Sequence, residues 1–278
     1  MKRDTSRNFS DWPITLFLAL MSSPIIIMYF YLILDTFTNS PAGSLVPNEF
    51  TLEHWRFLWG EAEGVSGLWS ATLNTFIFAS VMATSILAIS LTAGYAVSRL
   101  NLPFRAFLLG GMLTLHAFPT ITLVIALFLV LQMVGLYDTL IGVILIKSAL
   151  FLPFGIWIMK GFYDSVPWEI EMAGIQDGAS RFTVWRRLVL PQIKPGIIAL
   201  GVFAFLDGWN EYLMPQIFAP SSDVRVLSVL LAELIQDNEK FDFNLFKSIG
   251  LFYVIPVIIL YLIFQNKLMN IYGGGTKG

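Results

Sequence analysis

Six long apolar runs constrain this chain more than any other feature of its sequence. Each holds roughly 20 residues, the length that an α-helix needs to cross the hydrocarbon core of a bilayer. Charged residues make up only 13% of the chain, against about 25% in a soluble domain. We therefore predict an all-α polytopic membrane protein, a single domain over residues 1–278. Its six predicted spans cover residues 12–34, 73–97, 106–131, 140–158, 196–218 and 249–264.

The N-terminus has the charge pattern of a secretory signal peptide, since Lys2, Arg3 and Arg7 precede the first apolar run. The run is longer than a signal-peptide core, however, and no small-residue cleavage site follows it. We therefore predict that it is retained as the first span, with Pro24 as the site of a kink.

Lysine and arginine are distributed unevenly over the predicted loops, and this predicts the orientation. Short cytoplasmic loops carry an excess of these residues. If both termini are cytoplasmic, that side holds Lys2, Arg3, Arg7, Arg99, Arg105, Lys160, Arg181, Arg186, Arg187, Lys194, Lys267 and Lys277. The opposite side keeps Arg56, Arg225, Lys240 and Lys247. We therefore predict cytoplasmic termini, a cytoplasmic loop at residues 162–195 and an external segment at residues 35–70.

The cytoplasmic loop is the most polar part of the chain, and its pattern predicts two short helices joined by a glycine turn. Pro167 fits a helix start, with acidic residues in the first turn. Gly178 follows Asp177 and supplies the left-handed conformation that ends a helix. Ser180 can cap a second helix. On that helix Phe182, Trp185, Leu188 and Val189 form an apolar face, which predicts a docking element outside the bilayer.

The same loop resembles a signature of permease subunits of binding-protein-dependent ABC importers. Their cytoplasmic loop reads Glu-Ala-Ala, three residues, Gly, nine residues, then Ile-x-Leu-Pro. Here Gly178 is followed after nine residues by Leu188, Val189, Leu190 and Pro191. Met172, Ala173 and Gly174 stand at the Glu-Ala-Ala positions, and the glutamate is displaced to Glu171. The alternative is an ordinary amphipathic loop between two spans.

The resemblance implies that this loop contacts the ATPase of such an importer. The residues that would couple it to the ATPase are Glu169, Glu171, Ala173, Asp177, Gly178, Ala179, Leu188, Leu190 and Pro191. It further implies a second permease chain, two cytoplasmic ATPase subunits, an extracytoplasmic solute-binding protein and surrounding membrane lipid. The short glycine-rich end of the chain, residues 273–278, is similar to the tails of maltose-type permeases, which reach the ATPase dimer.

The sequence contains no phosphate-binding loop, nucleotide fingerprint or Ser/His/Asp arrangement of its own. Cysteine is absent, and the two histidines, His54 and His116, stand far apart, so we predict no metal site. No basic patch for nucleic acid is present. We therefore predict that the chain is not an enzyme and holds no cofactor, with ATP and magnesium bound by the partner ATPase subunits.

A second group of polar residues lies inside the fifth apolar run. A carboxylate near the centre of a membrane helix costs about 2.5–3.5 kcal/mol, so Asp207 and Glu211 require a reason. Four residues apart, they share one face of a continuous helix, together with Asn210. We predict that Asp207, Trp209, Asn210 and Glu211 line a solute pathway. The alternative is that the carboxylates pair with a partner subunit or with Lys147 and hold the bundle together.

Other polar residues within the spans receive more ordinary interpretations. Lys147 can extend to the interface, line a path or pair with a carboxylate, and pairing is favoured. His116 and Asn74 are predicted to form hydrogen bonds between helices.

The order Trp209-Asn210-Glu211-Tyr212-Leu213 is similar to the fifth span of carbohydrate-type permeases in the same family. This resemblance implies inward movement of a carbohydrate-like solute by alternating access. Three alternatives remain at this point: an ABC importer for glycerol-phosphate esters or polyamines, an ion-coupled secondary transporter, and a structural membrane scaffold.

Overall fold

A computed structural model describes residues 12–39, 49–60, 65–236 and 242–273 of the chain. These ranges contain twelve α-helices and no β-strand, with an isolated bridge between Thr38 and Phe50, so the predicted all-α fold is confirmed. The helices are α1 (Trp12–Asp35), α2 (Leu68–Arg99), α3 (Arg105–Ala117), α4 (Val124–Met133), α5 (Leu140–Asp164), α6 (Trp168–Gln176), α7 (Arg181–Val184), α8 (Leu190–Gln192), α9 (Lys194–Trp209), α10 (Leu213–Phe218), α11 (Leu227–Gln236) and α12 (Phe243–Gly273).

Four of these helices are long and apolar enough to cross a membrane, namely α1, α2, α5 and α12. They coincide with the first, second, fourth and sixth predicted spans. Two further segments reach the same length only as pairs of helices that are bent against each other, namely Arg105–Ala117 with Thr120–Met133 and Arg181–Gln192 with Lys194–Trp209. The described chain therefore has four to six candidate spans. The N-terminal basic residues, Lys240 and residues 274–278 lie outside the described residues, and the orientation stays a prediction.

The third predicted span, residues 106–131, is not one helix. Helix α3 ends at Ala117, and a short 3-10 helix, Thr120–Leu123, leads into α4. The two parts are bent by 93°. Pro119 explains the break, because a residue that precedes proline is driven out of the helical region of backbone space. Phe118 accordingly has an extended backbone, with φ −70° and ψ 133°.

The fifth predicted span, residues 196–218, is also interrupted. Helix α9 ends at Trp209, and α10 begins at Leu213. Pro215 explains the gap, since its ring would clash with the carbonyl of Glu211 in a continuous helix. That carbonyl instead accepts a hydrogen bond of 2.6 Å from the Ser228 hydroxyl. The 16 residues of α9 extend about 24 Å, which is short of the hydrocarbon thickness of about 30 Å.

The described residues form two compact units. The first comprises the described residues of 12–66 and 234–254. Within it the Trp55 ring stacks on Phe37 and on Phe57, with centroids 5.4 and 5.8 Å apart. Lys247 forms an ion pair of 2.7 Å with Asp35 at the end of α1. Helix α1 itself has no buried residue, which for an apolar helix requires a non-aqueous surrounding.

The second unit comprises residues 67–233 and 255–273 and has its core between α2, α5 and α9. Small residues allow these helices to approach closely. A Cβ on Gly155 would lie 2.5 Å from the Ser90 hydroxyl, and one on Gly208 would lie 3.0 Å from the Ala79 backbone. Such small-residue contacts are typical of packing between membrane helices, where lipid removes the hydrophobic drive for association.

Candidate functional site

The segment that joins α5 to α9 forms the predicted pair of short helices, which we call the helical hairpin (residues 168–192). Helix α6 follows Pro167, with Glu169 and Glu171 in its first turn. It ends at Gln176, and the φ of +83° at Gly178, two residues later, confirms the predicted left-handed turn. The Gly178 N–H donates to the Ile175 carbonyl, and the next N–H, of Ala179, donates to the Gly174 carbonyl. These two bonds are the Schellman pattern that satisfies the last carbonyls of a helix.

The second half of the hairpin begins with the predicted cap, because the Ser180 hydroxyl accepts the Thr183 N–H at 3.3 Å. The predicted apolar face is only partly correct. Val184 and Val189 are buried, whereas Phe182 is 64% exposed and Leu188 is 37% exposed. The reason is a π-helical turn at Trp185–Val189, which changes the helical register that regular spacing assumes.

The two halves of the hairpin contact each other closely at Gly174. A Cβ at this position would lie 2.7 Å from Leu188 Cδ1 and 2.9 Å from Val184 Cγ2. The family signature has alanine at this position. Here, these short distances mean that a residue larger than glycine would force the two helices apart. Sequence reasoning missed this contact, because the partner residues lie ten or more positions away.

A buried ion pair fastens the hairpin to the end of α2. The Glu171 carboxylate is 2% exposed, and its Oε1 accepts a hydrogen bond of 2.5 Å from Arg99 Nε. The other oxygen, Oε2, accepts the Tyr95 hydroxyl at 3.0 Å. Arg99 also donates from Nη2 to the Val166 carbonyl at 2.7 Å, and its guanidinium lies 5.4 Å from the Trp168 ring centroid. Sequence reasoning did not predict this cluster.

A second buried contact joins the π-helical turn to α5 and α2. The Trp185 indole N–H donates to the Tyr163 hydroxyl at 3.0 Å, and that hydroxyl donates to the Leu91 carbonyl at 2.9 Å. Tyr163 is fully buried. The hairpin is thus attached at two points, and its ends continue directly into α5 and α9.

The predicted coupling residues therefore fall into two groups. Glu171 faces inward and is buried, and Ala179 and Leu190 are half-buried. The exposed ones are Glu169, Ala173, Asp177, Gly178, Leu188 and Pro191.

The second predicted group centres on Lys147 of α5, which contacts both carboxylates of the fifth apolar run. Its ammonium lies 3.0 Å from Asp207 Oδ2 and forms a second ion pair with Glu211. We call these three residues the lysine cluster. The predicted pairing of Lys147 with a carboxylate is confirmed. The side chains of Lys147 and Glu211 are 18% and 10% exposed, whereas that of Asp207 is 35% exposed.

The predicted reason for the proximity of the two carboxylates was wrong. Glu211 is not on the face of a continuous helix, because α9 has already ended at Trp209. It lies in the gap before α10, where its Oε1 accepts the Met214 N–H at 3.1 Å. Lys147, 60 or more residues earlier in the chain, brings the two carboxylates together.

A cavity of about 360 Å³ borders the lysine cluster, and we call it the lysine cavity. Its wall combines the ends of broken helices with an aromatic surface from α5. The lining residues are Leu115, His116, Phe118, Thr120, Leu123, Lys147, Leu150, Phe151, Phe154 and Asp207. The His116 ring stacks on Phe154, with centroids 5.4 Å apart and planes inclined by 13°. Thus His116 stacks on an aromatic ring, and the predicted hydrogen bond is not among its contacts in the described residues.

Of the four residues predicted to line a pathway, Asp207 alone lines this cavity in the part of the chain that the structure describes. Trp209 is 1% exposed and stacks on Phe205, with centroids 5.8 Å apart. Asn210 caps the end of α9, and its amide donates to the Leu206 carbonyl at 2.9 Å.

Asn74 of α2 behaves as predicted, since its amide donates to the carbonyls of Asp223 and Arg225.

Comparison with known proteins gives consistent matches. Residues 85–268 match the family described as binding-protein-dependent transport system inner membrane component. The chain is 31% identical over 206 residues to the sulfoquinovosyl glycerol transport system permease protein of Agrobacterium fabrum, covering 74% of this chain and 72% of that protein. It is 29% identical over 285 positions to the maltodextrin transport system permease protein of Bacillus subtilis, with 100% of both chains covered.

Two further matches extend the comparison. The trehalose transport system permease protein of Mycobacterium tuberculosis is 28% identical over 239 residues, covering 85% of each chain. A solved bacterial ABC transporter involved in the import of the acidic polysaccharide alginate contains a similar chain, with a TM-score of 0.73. That match covers 93% of this chain and 98% of the other at 19% identity, so it shows the fold alone.

Proposed function

The chain belongs to the family of binding-protein-dependent transport system inner membrane components, and from this we propose that it is the permease subunit of an ATP-driven importer for a carbohydrate-like solute. It is a multi-pass protein of the inner membrane. Its relatives are named as permease proteins for trehalose, maltodextrin and sulfoquinovosyl glycerol. Since those names differ, the class of carbohydrate has to be argued from the residues of this chain.

The attachment of the helical hairpin supports the proposal most directly. Glu171 bonds to Arg99 and Tyr95 of α2, and Trp185 bonds to Tyr163 of α5. A force applied to the exposed side of the hairpin is therefore transmitted to both helices. In this proposal, closure of an ATPase dimer moves the hairpin with α2 and α5 as one body, and this motion changes the side to which the bundle opens.

The exposed face of the hairpin is the proposed ATPase contact. It includes Glu169, Ala173 and Asp177, with the Phe182 ring 64% exposed on the second half. Glu171 has a different role in this proposal. Because its carboxylate is 2% exposed, it positions the hairpin and leaves direct contact to its neighbours.

The proposed assembly contains this chain, a second permease chain, two cytoplasmic ATPase subunits and an extracytoplasmic solute-binding protein. The ATPase subunits bind ATP and magnesium. Within this chain Asp207 is the proposed pathway residue, because it borders the lysine cavity. Lys147 holds that carboxylate in place, and Glu211 in turn pairs with Lys147.

Reconstitution of the assembled complex in liposomes tests the function. We expect uptake of labelled maltose or trehalose that requires internal ATP and the binding protein, and that an ionophore leaves unchanged. Uptake that an ionophore abolishes and that continues without ATP would instead identify an ion-coupled transporter.

The orientation is tested separately in this cysteine-free chain. A single cysteine at Gly60, in the segment proposed to be external, should react with a membrane-impermeant maleimide added to intact cells. A cysteine at Asp177 should react only after the membrane is opened. Reaction of the Gly60 position from the cytoplasm alone would reverse the orientation.

A further inference from the structure

The lysine cavity lies where two helix breaks meet. Part of its wall comes from both sides of the break at Phe118–Pro119, and another part is Asp207, two residues before the end of α9. Non-helical backbone at membrane depth is tolerated where it lines a cavity or is buried in protein. In transporters, binding sites form at such discontinuous helices. This placement points to a site of function.

The size of the cavity limits what it can hold. Its volume of about 360 Å³ is near the lower end of the range of ligand sites, about 300–1,000 Å³. A single sugar ring fits in such a volume, whereas an oligosaccharide would have to pass through it one ring at a time.

The polar groups of the cavity suit hydroxyl groups. Asp207 Oδ2 contacts Lys147, and the Asp207 side chain remains 35% exposed at the cavity wall, so the carboxylate can accept a hydrogen bond from a hydroxyl group. A hydrogen bond to a charged acceptor is stronger than one between neutral groups. The imidazole of His116 and the hydroxyl of Thr120 add groups that donate and accept.

The rest of the wall is aromatic. Phe151 and Phe154 meet edge to face, with centroids 5.4 Å apart, and His116 extends this surface by stacking on Phe154. Aromatic side chains with a few fixed polar groups are the usual lining of a small-molecule site. The flat carbon face of a sugar ring can pack on such rings while its hydroxyls reach Asp207.

The charge of the lysine cluster selects between classes of sugar. One ammonium is shared by two carboxylates, so the cluster carries an excess of one negative charge. A carboxylated sugar would bring a third carboxylate to a lysine that is already engaged twice, and like charges at short range repel strongly in a medium of low dielectric constant. A neutral ring meets no such repulsion.

We infer that the lysine cavity is a binding subsite for one neutral, hydroxyl-bearing sugar ring, and that the lysine cluster excludes acidic sugars from it. This inference rests on the proposed function. Asp207 accepts hydrogen bonds from the hydroxyls of the sugar ring, and the rings of Phe151, Phe154 and His116 pack on the face of that sugar ring. Lys147 fixes Asp207, and Glu211 pairs with Lys147 and contributes to the local charge.

Single-cysteine labelling tests this inference in the complete complex with its binding protein. Thr120→Cys places a thiol at the cavity wall. Thr122→Cys is the matched control, because Thr122 lies in the same 3-10 helix and does not line the cavity. We would measure the rate of reaction with a membrane-permeant maleimide, alone and with glucose, maltose, trehalose or glucuronate at equal concentration.

At least one neutral sugar should slow labelling of Thr120→Cys by about fivefold, which corresponds to a concentration of about four times its Kd. Glucuronate should leave the rate unchanged, and Thr122→Cys should show no protection. Adding Asp207→Asn, which preserves the shape of the side chain, should remove the protection at Thr120→Cys. The same exchange at the exposed Asp223 should have no effect.

Three results would overturn the subsite. Glucuronate could protect as well as the neutral sugars, or both cysteines could be protected equally, which would indicate a general conformational change. Uptake of a neutral sugar could also proceed while Thr120→Cys is never protected. That result would contradict the subsite and leave the proposed function intact. If the wild-type complex takes up none of these sugars with ATP, the proposed function fails, and the subsite fails with it.

Discussion

Two ion clusters, one at the helical hairpin and one at the lysine cavity, differ in charge balance and in exposure. In the first, Glu171 meets Arg99 and the Tyr95 hydroxyl, and both charged side chains are less than 10% exposed. In the second, Lys147 meets Asp207 and Glu211, and Asp207 borders a cavity. A buried ion pair of balanced charge offers no free group to a ligand, so its role is to hold the hairpin against α2. An unbalanced cluster beside a cavity keeps an acceptor that a solute can use.

The largest expected effect comes from breaking the buried pair. Arg99→Met leaves the Glu171 carboxylate buried without its cation, which should destabilise the assembled complex by about 3–5 kcal/mol. The double variant Arg99→Met/Glu171→Met should recover part of that loss, because no uncompensated charge remains. Thermal unfolding of the purified complex measures both.

Lys160→Met is the control for this prediction. Its partner Asp164 is 41% exposed, and the loss of such a pair should cost at most about 1 kcal/mol. Equal destabilisation by Arg99→Met and Lys160→Met would show that the hairpin does not depend on the buried pair.

The unbalanced cluster should separate into two roles. Glu211→Gln weakens both the ion pair with Lys147 and the hydrogen bond that Glu211 accepts from the Met214 N–H in the first turn of α10, so the yield of intact complex should fall. Asp207→Asn should keep the yield and reduce uptake by about tenfold or more, since a hydrogen bond to a charged group contributes about 1.5–3 kcal/mol. Uptake per assembled complex, measured for each variant, distinguishes the roles. Unchanged uptake per assembled complex in Asp207→Asn would remove Asp207 from the pathway.

The turn of the hairpin should show a smaller effect on stability and a large one on coupling. Gly178 has φ +83°, which a residue with a Cβ adopts at a cost of about 1–2 kcal/mol. Gly178→Val should therefore lower transport per ATP hydrolysed while the spans still insert. Gly178→Asn should be milder, because asparagine tolerates this conformation. Gly161→Val, at a position with open space and no positive φ, serves as control. Parental coupling in Gly178→Val would exclude the turn from force transmission.

Asp138, a carboxylate on a loop outside both clusters, should give the smallest effect and serves as a baseline for them. Asp138 accepts the hydroxyl and the backbone N–H of Ser221, and these bonds lower the pKa of its carboxyl. Because the pKa is lower in the folded chain, the stabilisation exists above the unfolded value of about 3.9 and is lost as pH falls through the lowered folded value. Asp138→Asn should thus reduce the Tm slightly at neutral pH, and the difference from wild type should vanish in acid. A difference that grew in acid would contradict this sign.

How much of the structure could be predicted from the sequence depends on how far apart the interacting residues lie along the chain. Apolar length predicted α1, α2, α5 and α12, and local turn chemistry predicted Gly178 and Ser180, because each depends on neighbouring residues. The breaks in the third and fifth spans were missed, since hydropathy is insensitive to backbone direction, although Pro119 and Pro215 were visible signals. The Arg99–Glu171 and Lys147–Glu211 pairs join residues more than 60 positions apart, and no local pattern specifies which charges will meet.

The position of Glu211 has a consequence for measurement. One of its oxygens holds Lys147, and the other accepts the amide proton of Met214. Any change that draws Lys147 away frees the carboxylate to rotate, and the Met214 amide then loses its acceptor. Deuterium exchange at that single amide should therefore accelerate whenever the cluster opens and slow when it closes. Mass spectrometry of the peptide that contains Met214 can follow the cavity through a transport cycle without any label placed inside it.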